Sequence, residues 1–454
     1  MGVYECTHTP IPTATRKHAS YTCEVQRLHQ MIPTVLPKLV VEPGSAVLPK
    51  LVVEPGSANL EREKPTKSRH ERKEITMRVA IVGGGYGGVY LSKALEARNV
   101  DVVLVERNER FFHKIGGGRA FIESGFEEKV FLEFDELLQR RDSCVLIGEA
   151  RALNVNTKTL SVWCGREADE KRDINFDAIV FAMGVRHTFG QLPDEGLMLD
   201  DLLATCKREQ DRLAMVDVIV VVGGGALGIE TSSQIADTYK DKTVHLLHSR
   251  GALMSGAGSK ELGDLVKTKL EALGVNVHLG CGRIEKEDVQ RQYPGSLVLM
   301  ATGCRMSDSS RSLLDPRWIN DETSEIRVGP SLRVENAPDF VYAIGDIAAT
   351  GDYKQARWAH RHAEVVAANI CGGNKIYQPL RSNPWFIRPL SYILCWWVRA
   401  RVDSTLVIAL KLGLHEHVME FGGILFSDYF TRRKMEKDTG IAHVRKSALS
   451  LPPN

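Results

Sequence analysis

The hydrophobic pattern of this chain switches between short unbroken apolar runs and stretches of helical spacing. Val79-Ala80-Ile81-Val82 is apolar throughout, as expected of a parallel strand covered on both faces. It leads into Gly83-Gly84-Gly85-Tyr86-Gly87-Gly88, a helical run, and then Val102-Val103-Leu104-Val105 closing on Glu106. The plan repeats: Val218 to Val222, Gly223-Gly224-Gly225-Ala226-Leu227-Gly228-Ile229-Glu230, then Val244-His245-Leu246-Leu247-His248-Ser249-Arg250. Further runs of strand length stand at Val145 to Gly148, Leu160 to Trp163, Asp177 to Gly184, Val275 to Leu279, Leu297 to Gly303 and Phe340 to Asp346. Phe111 to Arg119 reads as a loop, followed by an acid-rich helix to about Gln139. Strands alternating with helices predict an α/β fold with two doubly wound, Rossmann-like parallel sheets.

Both glycine runs fit G-x-G-x-x-G between a strand and a helix. In that pattern Gly83 and Gly223 make the tight turn, Gly85 and Gly225 let a pyrophosphate approach the backbone, and Gly88 and Gly228 let helix pack on strand. The helix that follows directs its amides and positive dipole end at the phosphates. Glu106 has the spacing of an acid that binds a ribose hydroxyl. The second run has no such acid; His248 and Arg250 stand in its place, which favours NADPH, or use of both nucleotides, over strict NADH. Asp346 ends the last strand, where it either caps the next helix or reaches the middle of the first dinucleotide.

Composition narrows the class. At 454 residues the chain exceeds one ordinary core, so several domains are expected. A net charge of +2 leaves no broad basic field for nucleic acid. The nine cysteines include no C-x-x-C pair, which fits a reducing, cytoplasmic setting. No apolar run reaches the roughly 18 residues of a spanning helix. Residues 1–76 differ from the rest: Val35 to Ala46 recurs unchanged as Val47 to Ala58, and a charged run from Glu61 to Glu74 follows. That segment reads as a disordered extension, with the folded part beginning at Met77. Met1-Gly2-Val3-Tyr4-Glu5-Cys6 nearly matches a myristoylation signal, though Cys6 replaces the required Ser or Thr, and an unmodified tail is the favoured reading.

Taken together, the order Gly83-x-Gly85-x-x-Gly88, Gly223-x-Gly225-x-x-Gly228, Ala301-Thr302-Gly303 and Gly345-Asp346 resembles the two-dinucleotide-binding-domain flavoproteins. Within them it looks most like the apoptosis-inducing-factor-2, or ferroptosis-suppressor, type, which is related to type II NADH dehydrogenases. The resemblance implies FAD on the first fingerprint, NAD(P)H on the second, and electrons passing to a quinone. It assigns Gly83, Gly84, Gly85, Tyr86, Gly87 and Gly88 to the FAD pyrophosphate, Glu106 to the adenosine ribose, Arg119 to the phosphates, Leu146 to the adenine and Asp346 to the ribityl chain. Glu230 would lie where nicotinamide meets flavin and Lys354 beside the flavin; without the family both read as solvated surface charges. Departures from the family pattern are Met183 for a threonine, His360 with Arg361, and His415-Glu416-His417. The absence of a cysteine pair after the first fingerprint argues against a thiol-disulfide reductase.

The expected division is residues 77–200 and 310–378 for FAD, 201–309 inserted between them for NAD(P)H, and 379–454 as a C-terminal segment. In that segment Trp385 to Arg401 mixes aromatics with arginines, and reads equally as an element lying on a membrane surface or as a packing or homodimer contact. Thr405 to Leu410 and Phe421 to Phe430 read as a strand and a helix. The resulting expectation is an FAD-dependent NAD(P)H:quinone-type oxidoreductase, peripheral on a membrane if attached at all. The alternatives are a monooxygenase or other small-acceptor reductase, and a flavin-holding protein without turnover.

Overall fold

A computed structural model of the chain describes residues 77–138, 144–165, 170–187, 196–379, 407–421 and 424–427. The repeat, the charged run, the Cys6 tail and the Trp385 to Arg401 stretch lie outside these residues. The chain opens with β1 (Arg78–Val82), α1 (Tyr86–Glu96) and β2 (Asp101–Glu106). Next come β3 (Phe111–Phe112), α2 (Lys114–Ala120), α3 (Glu127–Val130), β4 (Phe131–Leu132) and α4 (Phe134–Leu137). A meander of β5 (Cys144–Asn154), β6 (Thr159–Cys164) and β7 (Glu170–Asn175) precedes β8 (Ala178–Phe181) and β9 (Arg186–His187). The second glycine unit comprises α5 (Leu199–Ala214), β10 (Val218–Val222), α6 (Ala226–Thr238), β11 (Thr243–Leu247), α7 (Lys260–Ala272), β12 (Val275–His278), α8 (Lys286–Gln292) and β13 (Leu297–Met300). After β14 (Cys304–Arg305) and α9 (Asp308–Leu313), β15 (Val341–Ala343) and α10 (Ala356–Ile370) return to the first sheet. The antiparallel strands β16 (Val407–Leu412), β17 (Glu416–Phe421) and β18 (Ile424–Ser427) complete the described chain.

The fold is α/β with two Rossmann-like sheets, as expected. The larger has the order β15-β8-β1-β2-β5-β6-β7, parallel from β15 to β5 and antiparallel beyond it. The smaller runs β12-β11-β10-β13, all parallel. In each, the strand before the glycine turn is central, and the chain leaves it first to one side and later to the other. That reversal opens a crevice at the carboxyl ends of the strands. The unbroken apolar runs are explained by burial on both faces: Val79, Ala80, Ile81, Ile219, Val220 and Val221 have no exposed surface.

Three local expectations fail. Phe111 to Arg119 is not a loop but β3 followed by α2, three glycines notwithstanding. A Cβ on Gly117 would stand 2.5 Å from the Phe112 ring, so tertiary packing demands glycine there and overrides its poor helix propensity. The acid-rich stretch is not one helix to Gln139: it breaks into two single turns around β4, with Phe131, Leu132 and Phe134 buried. Of the expected helix from Phe421 to Phe430, Phe421 instead ends β17 and Ile424–Ser427 form β18, and the remaining positions lie outside the described residues.

Candidate active site

The two glycine turns have matching geometry. Gly83 and Gly223 adopt φ of 107° and 125°, and a Cβ there would lie 2.6 and 2.4 Å from the carbonyl oxygens of Ala182 and Ala301. Both are therefore glycine by necessity. Cβ atoms on Gly88 and Gly228 would meet the carbonyl oxygens of Gly83 and Gly223 at 1.9 and 1.8 Å, so these two serve helix packing and do not line a cavity. On Gly85 and Gly225 a Cβ would meet nothing within 4 Å. The open side of each turn is where a phosphate would approach the backbone. Helices α1 and α6 begin at these glycines with neither a side-chain cap nor an acid in the first turn, which leaves their amides and dipole ends for an anion.

The residue at the end of each glycine unit's second strand differs in kind. Glu106 accepts from the amides of Gly84 (2.5 Å) and Asn108 (3.0 Å). At the equivalent place His248 accepts through Nδ1 from the amide of Gly224 (3.0 Å), and its Nε2 lies 3.2 Å from the Ser255 hydroxyl. Burial, and then the charge of Arg250, lower the His248 pKa, so a neutral imidazole replaces the carboxylate. Arg250 donates to the Ser255 carbonyl (2.7 Å). These residues line a cavity of about 510 Å³ together with Gly223, Gly225, Arg283, Thr302 and Tyr353.

A second cavity, about 630 Å³, lies against the first glycine turn. Gly83, Gly84, Gly85, Tyr86, Gly87, Glu106, Arg119, Met183, Asp346 and Lys354 line it, so the structure brings together most of the residues assigned from sequence. Leu146 does not: it packs against the apolar cluster of its sheet, and the same strand presents Gly148, Glu149 and Ala150 to the cavity instead. Arg119 is held by a two-pronged ion pair with Glu123 (2.6 and 3.0 Å) and covers the Phe126 ring at 4.1 Å. The Tyr86 hydroxyl lies 2.9 Å from His113 Nδ1, and burial raises its pKa. The Gly345-Asp346 turn is fixed by His362, whose Nδ1 accepts from the Gly345 amide (3.0 Å), while Lys354 donates to the Asp346 carbonyl (2.6 Å) and pairs with Glu325. His360 takes no part; its ring lies tilted against Tyr90, with centroids 4.7 Å apart, on the exposed side of α10.

Several lining residues escaped the sequence reading. Lys114 lines the cavity and donates to the Val185 carbonyl (3.2 Å), its pKa lowered by desolvation and raised in part by Asp346. Tyr353 lines both cavities. Lys411 and His417, cross-strand neighbours on β16 and β17, line the larger one. Glu230, on α6, faces that same cavity and accepts from the Lys411 amide (3.1 Å). Burial raises its carboxyl to a pKa of about 7, against the Lys411 amide and ammonium, which pull it down. The hairpin carrying Lys411 is tied to the second glycine unit by Asp237 accepting from the Leu414 amide (2.7 Å), Glu420 from Ser259 (3.0 Å) and a Lys269–Glu416 ion pair (2.7 Å).

Comparison with known proteins agrees with this geometry. Residues 71–363 match the family described as pyridine nucleotide-disulphide oxidoreductase. Ferroptosis suppressor protein 1 of Mus musculus is 26% identical over 399 residues, covering 83% of this chain and 96% of its own. The Dictyostelium discoideum apoptosis-inducing factor homolog B is 25% identical, covering 64% of this chain and 80% of its own. Among solved structures, NDH2 from Plasmodium falciparum in complex with NADH superposes with a TM-score of 0.53 at 15% identity, covering 78% of this chain and 92% of that one. The water-forming NADH oxidase from Lactobacillus brevis, bound to NADH, gives 0.55 at 18%, covering 76% and 75%.

Proposed function

The chain belongs to the pyridine nucleotide-disulphide oxidoreductase family, and on that premise we propose that it passes hydride from NAD(P)H to bound FAD and electrons on to a quinone-type acceptor. One observation carries the reading: helix α6 starts at the glycine turn of the smaller cavity yet presents Ala226, Leu227 and Glu230 to the larger, and Tyr353 forms a wall of both. A nicotinamide entering from one side therefore has a short route to a flavin held on the other. The larger cavity fits FAD, with an open glycine turn, an acid at the ribose position and Asp346 on a fixed turn. When bound, FAD would supply a carrier that takes two electrons as hydride and yields them to a second substrate.

The protein's part is binding, orientation and charge. Gly83 to Gly87 and the α1 amides would hold the pyrophosphate, with Glu106 on the adenosine ribose and Asp346 on the ribityl chain. Lys354 and Arg119 bring positive charge to the cavity wall, where negative charge grows as electrons arrive. Glu230 would hold the nicotinamide amide and exclude water at the meeting of the two rings. In the smaller cavity the neutral His248 and the nearby Arg250 accommodate a 2′-phosphate, so NADPH is the preferred donor. Support for the quinone comes from the likeness to the ferroptosis-suppressor type and from an apolar wall of Ile408, Leu410 and Val418. Steady-state turnover with NADPH and a short-chain benzoquinone tests it: quinone-dependent oxidation well above the rate with oxygen alone is expected, and none with any quinone would refute the acceptor.

A further inference from the structure

Besides Ala226 at its start, α6 lines the larger cavity with Leu227, Glu230, Thr231 and Gln234 at helical spacing. Opposite them stand Leu410, Lys411, His417 and Val418 of the β16–β17 hairpin, leaving a slot that begins beside Glu230 and runs away from the glycine turn. Buried polar atoms are nearly always hydrogen-bonded. Here three cavity-lining groups break that rule: Thr231 Oγ1, Gln234 Nε2 and Lys411 Nζ have no hydrogen-bond partner among the described residues. Thr231 and Gln234 are 2% and 6% exposed, so solvent does not readily serve them. An ammonium and an amide NH₂ can only donate, and a hydroxyl can do so too. Such a set, walled by leucine and valine, suits a flat apolar ring bearing carbonyl oxygens.

We propose that this slot binds a carbonyl end of the electron acceptor and that Lys411 is a catalytic residue delivering a proton to its oxygen. The inference rests on the quinone-type reading above and gives that acceptor its place. The reaction balances as follows. The acceptor gains the two electrons of NAD(P)H by way of the flavin, together with the proton that accompanied them as hydride and one more from Lys411. Its two carbonyls become hydroxyls, and the neutral lysine regains a proton from solvent. Burial lowers the Lys411 pKa to about 8, helped by Arg119 of α2 and opposed by Glu123, just after α2, and Glu230 of α6, with His417 across the ladder on β17. An ordinary lysine would hold its proton too tightly for this task; one near neutrality matches it. Because Glu230 is tied to the Lys411 backbone amide, a side-chain substitution leaves that bond in place.

The test uses full-length protein with FAD bound, reduced anaerobically with NADPH and then mixed with a short-chain benzoquinone. Expected for Lys411→Met is reoxidation slowed by about a hundredfold, with the loss falling on reoxidation and not on reduction. Lys411→Arg keeps the charge but not the transferable proton, so it should bind the quinone and still reoxidise slowly. In the wild type the reoxidation rate should fall as pH rises through about 8, a limb absent from Lys411→Met. Quinone binding to the oxidised protein, read by flavin fluorescence, should weaken in Lys411→Met and in Gln234→Leu. If Lys411→Met matches the wild type in reoxidation and pH profile while the wild type turns over quinone, the role of Lys411 is wrong and the acceptor reading stands. If reduced wild type is not reoxidised by benzoquinone at all, the acceptor reading fails and the slot's assignment falls with it.

Discussion

At the scale of single residues, the site works by placing charges whose surroundings alter their chemistry. Asp346 sits on a turn held at both ends, by His362 on the Gly345 amide and by Lys354 on its own carbonyl. Asp346→Ala should therefore fold but purify with little flavin; full FAD content by visible absorbance would refute its role. Glu230 offers a pH test. Its folded pKa of about 7 lies above the ordinary 4.5, so the folded apoprotein keeps a proton that the unfolded chain has already lost between those values. Its contribution to stability is thus present below the lower value and lost as pH rises through the upper one. Glu230→Gln, which stays neutral, should melt higher than wild type above neutrality and no higher near pH 4.5, as read by thermal unfolding of apoprotein. The His248 imidazole occupies the seat that Glu106 fills in the first unit. His248→Glu should lower the kcat/KM ratio of NADPH to NADH by at least about tenfold, and an unchanged ratio would remove it from nucleotide selection.

At the scale of elements, the two strand–turn–helix units were legible because every constraint in them is local. A positive φ, two close approaches and an open side fall within six consecutive residues, and only glycine meets them all. Gly88→Ala would put a methyl group into the Gly83 carbonyl, so it should destabilise the protein by at least about 3 kcal/mol and abolish flavin retention; a normal melting temperature would contradict the packing described. What could not be read are the pieces assembled from afar. Glu230 and Lys411 are 181 residues apart and meet through one hydrogen bond from the Lys411 backbone amide to the Glu230 carboxylate, with no local signal on a strand that otherwise alternates ordinarily. Tyr353 likewise carries no local signal, and its position between two cavities depends on how two sheets are brought together. The segment from Phe111 to Arg119 differs for a packing reason: three consecutive glycines sit in a helix because Gly117 lies in close contact with Phe112.

At the scale of the whole molecule, the proposed function depends on two cavities that share Tyr353 as a wall. Each sheet alone builds a crevice at its central strand; only their apposition puts α6 between the crevices, with its N-cap Gly225 at one and Ala226, Leu227 and Glu230 at the other. No helix among the described residues is long and apolar enough to cross a membrane. The central claim is that hydride crosses from a nicotinamide in the smaller cavity to a flavin in the larger. Anaerobic stopped-flow mixing of the FAD-bound protein with NADPH tests it most directly. Full bleaching of the flavin absorbance is predicted, slowed on the order of a hundredfold in Glu230→Ala at unchanged FAD content. A flavin that stays yellow under excess NADPH and NADH would contradict the account.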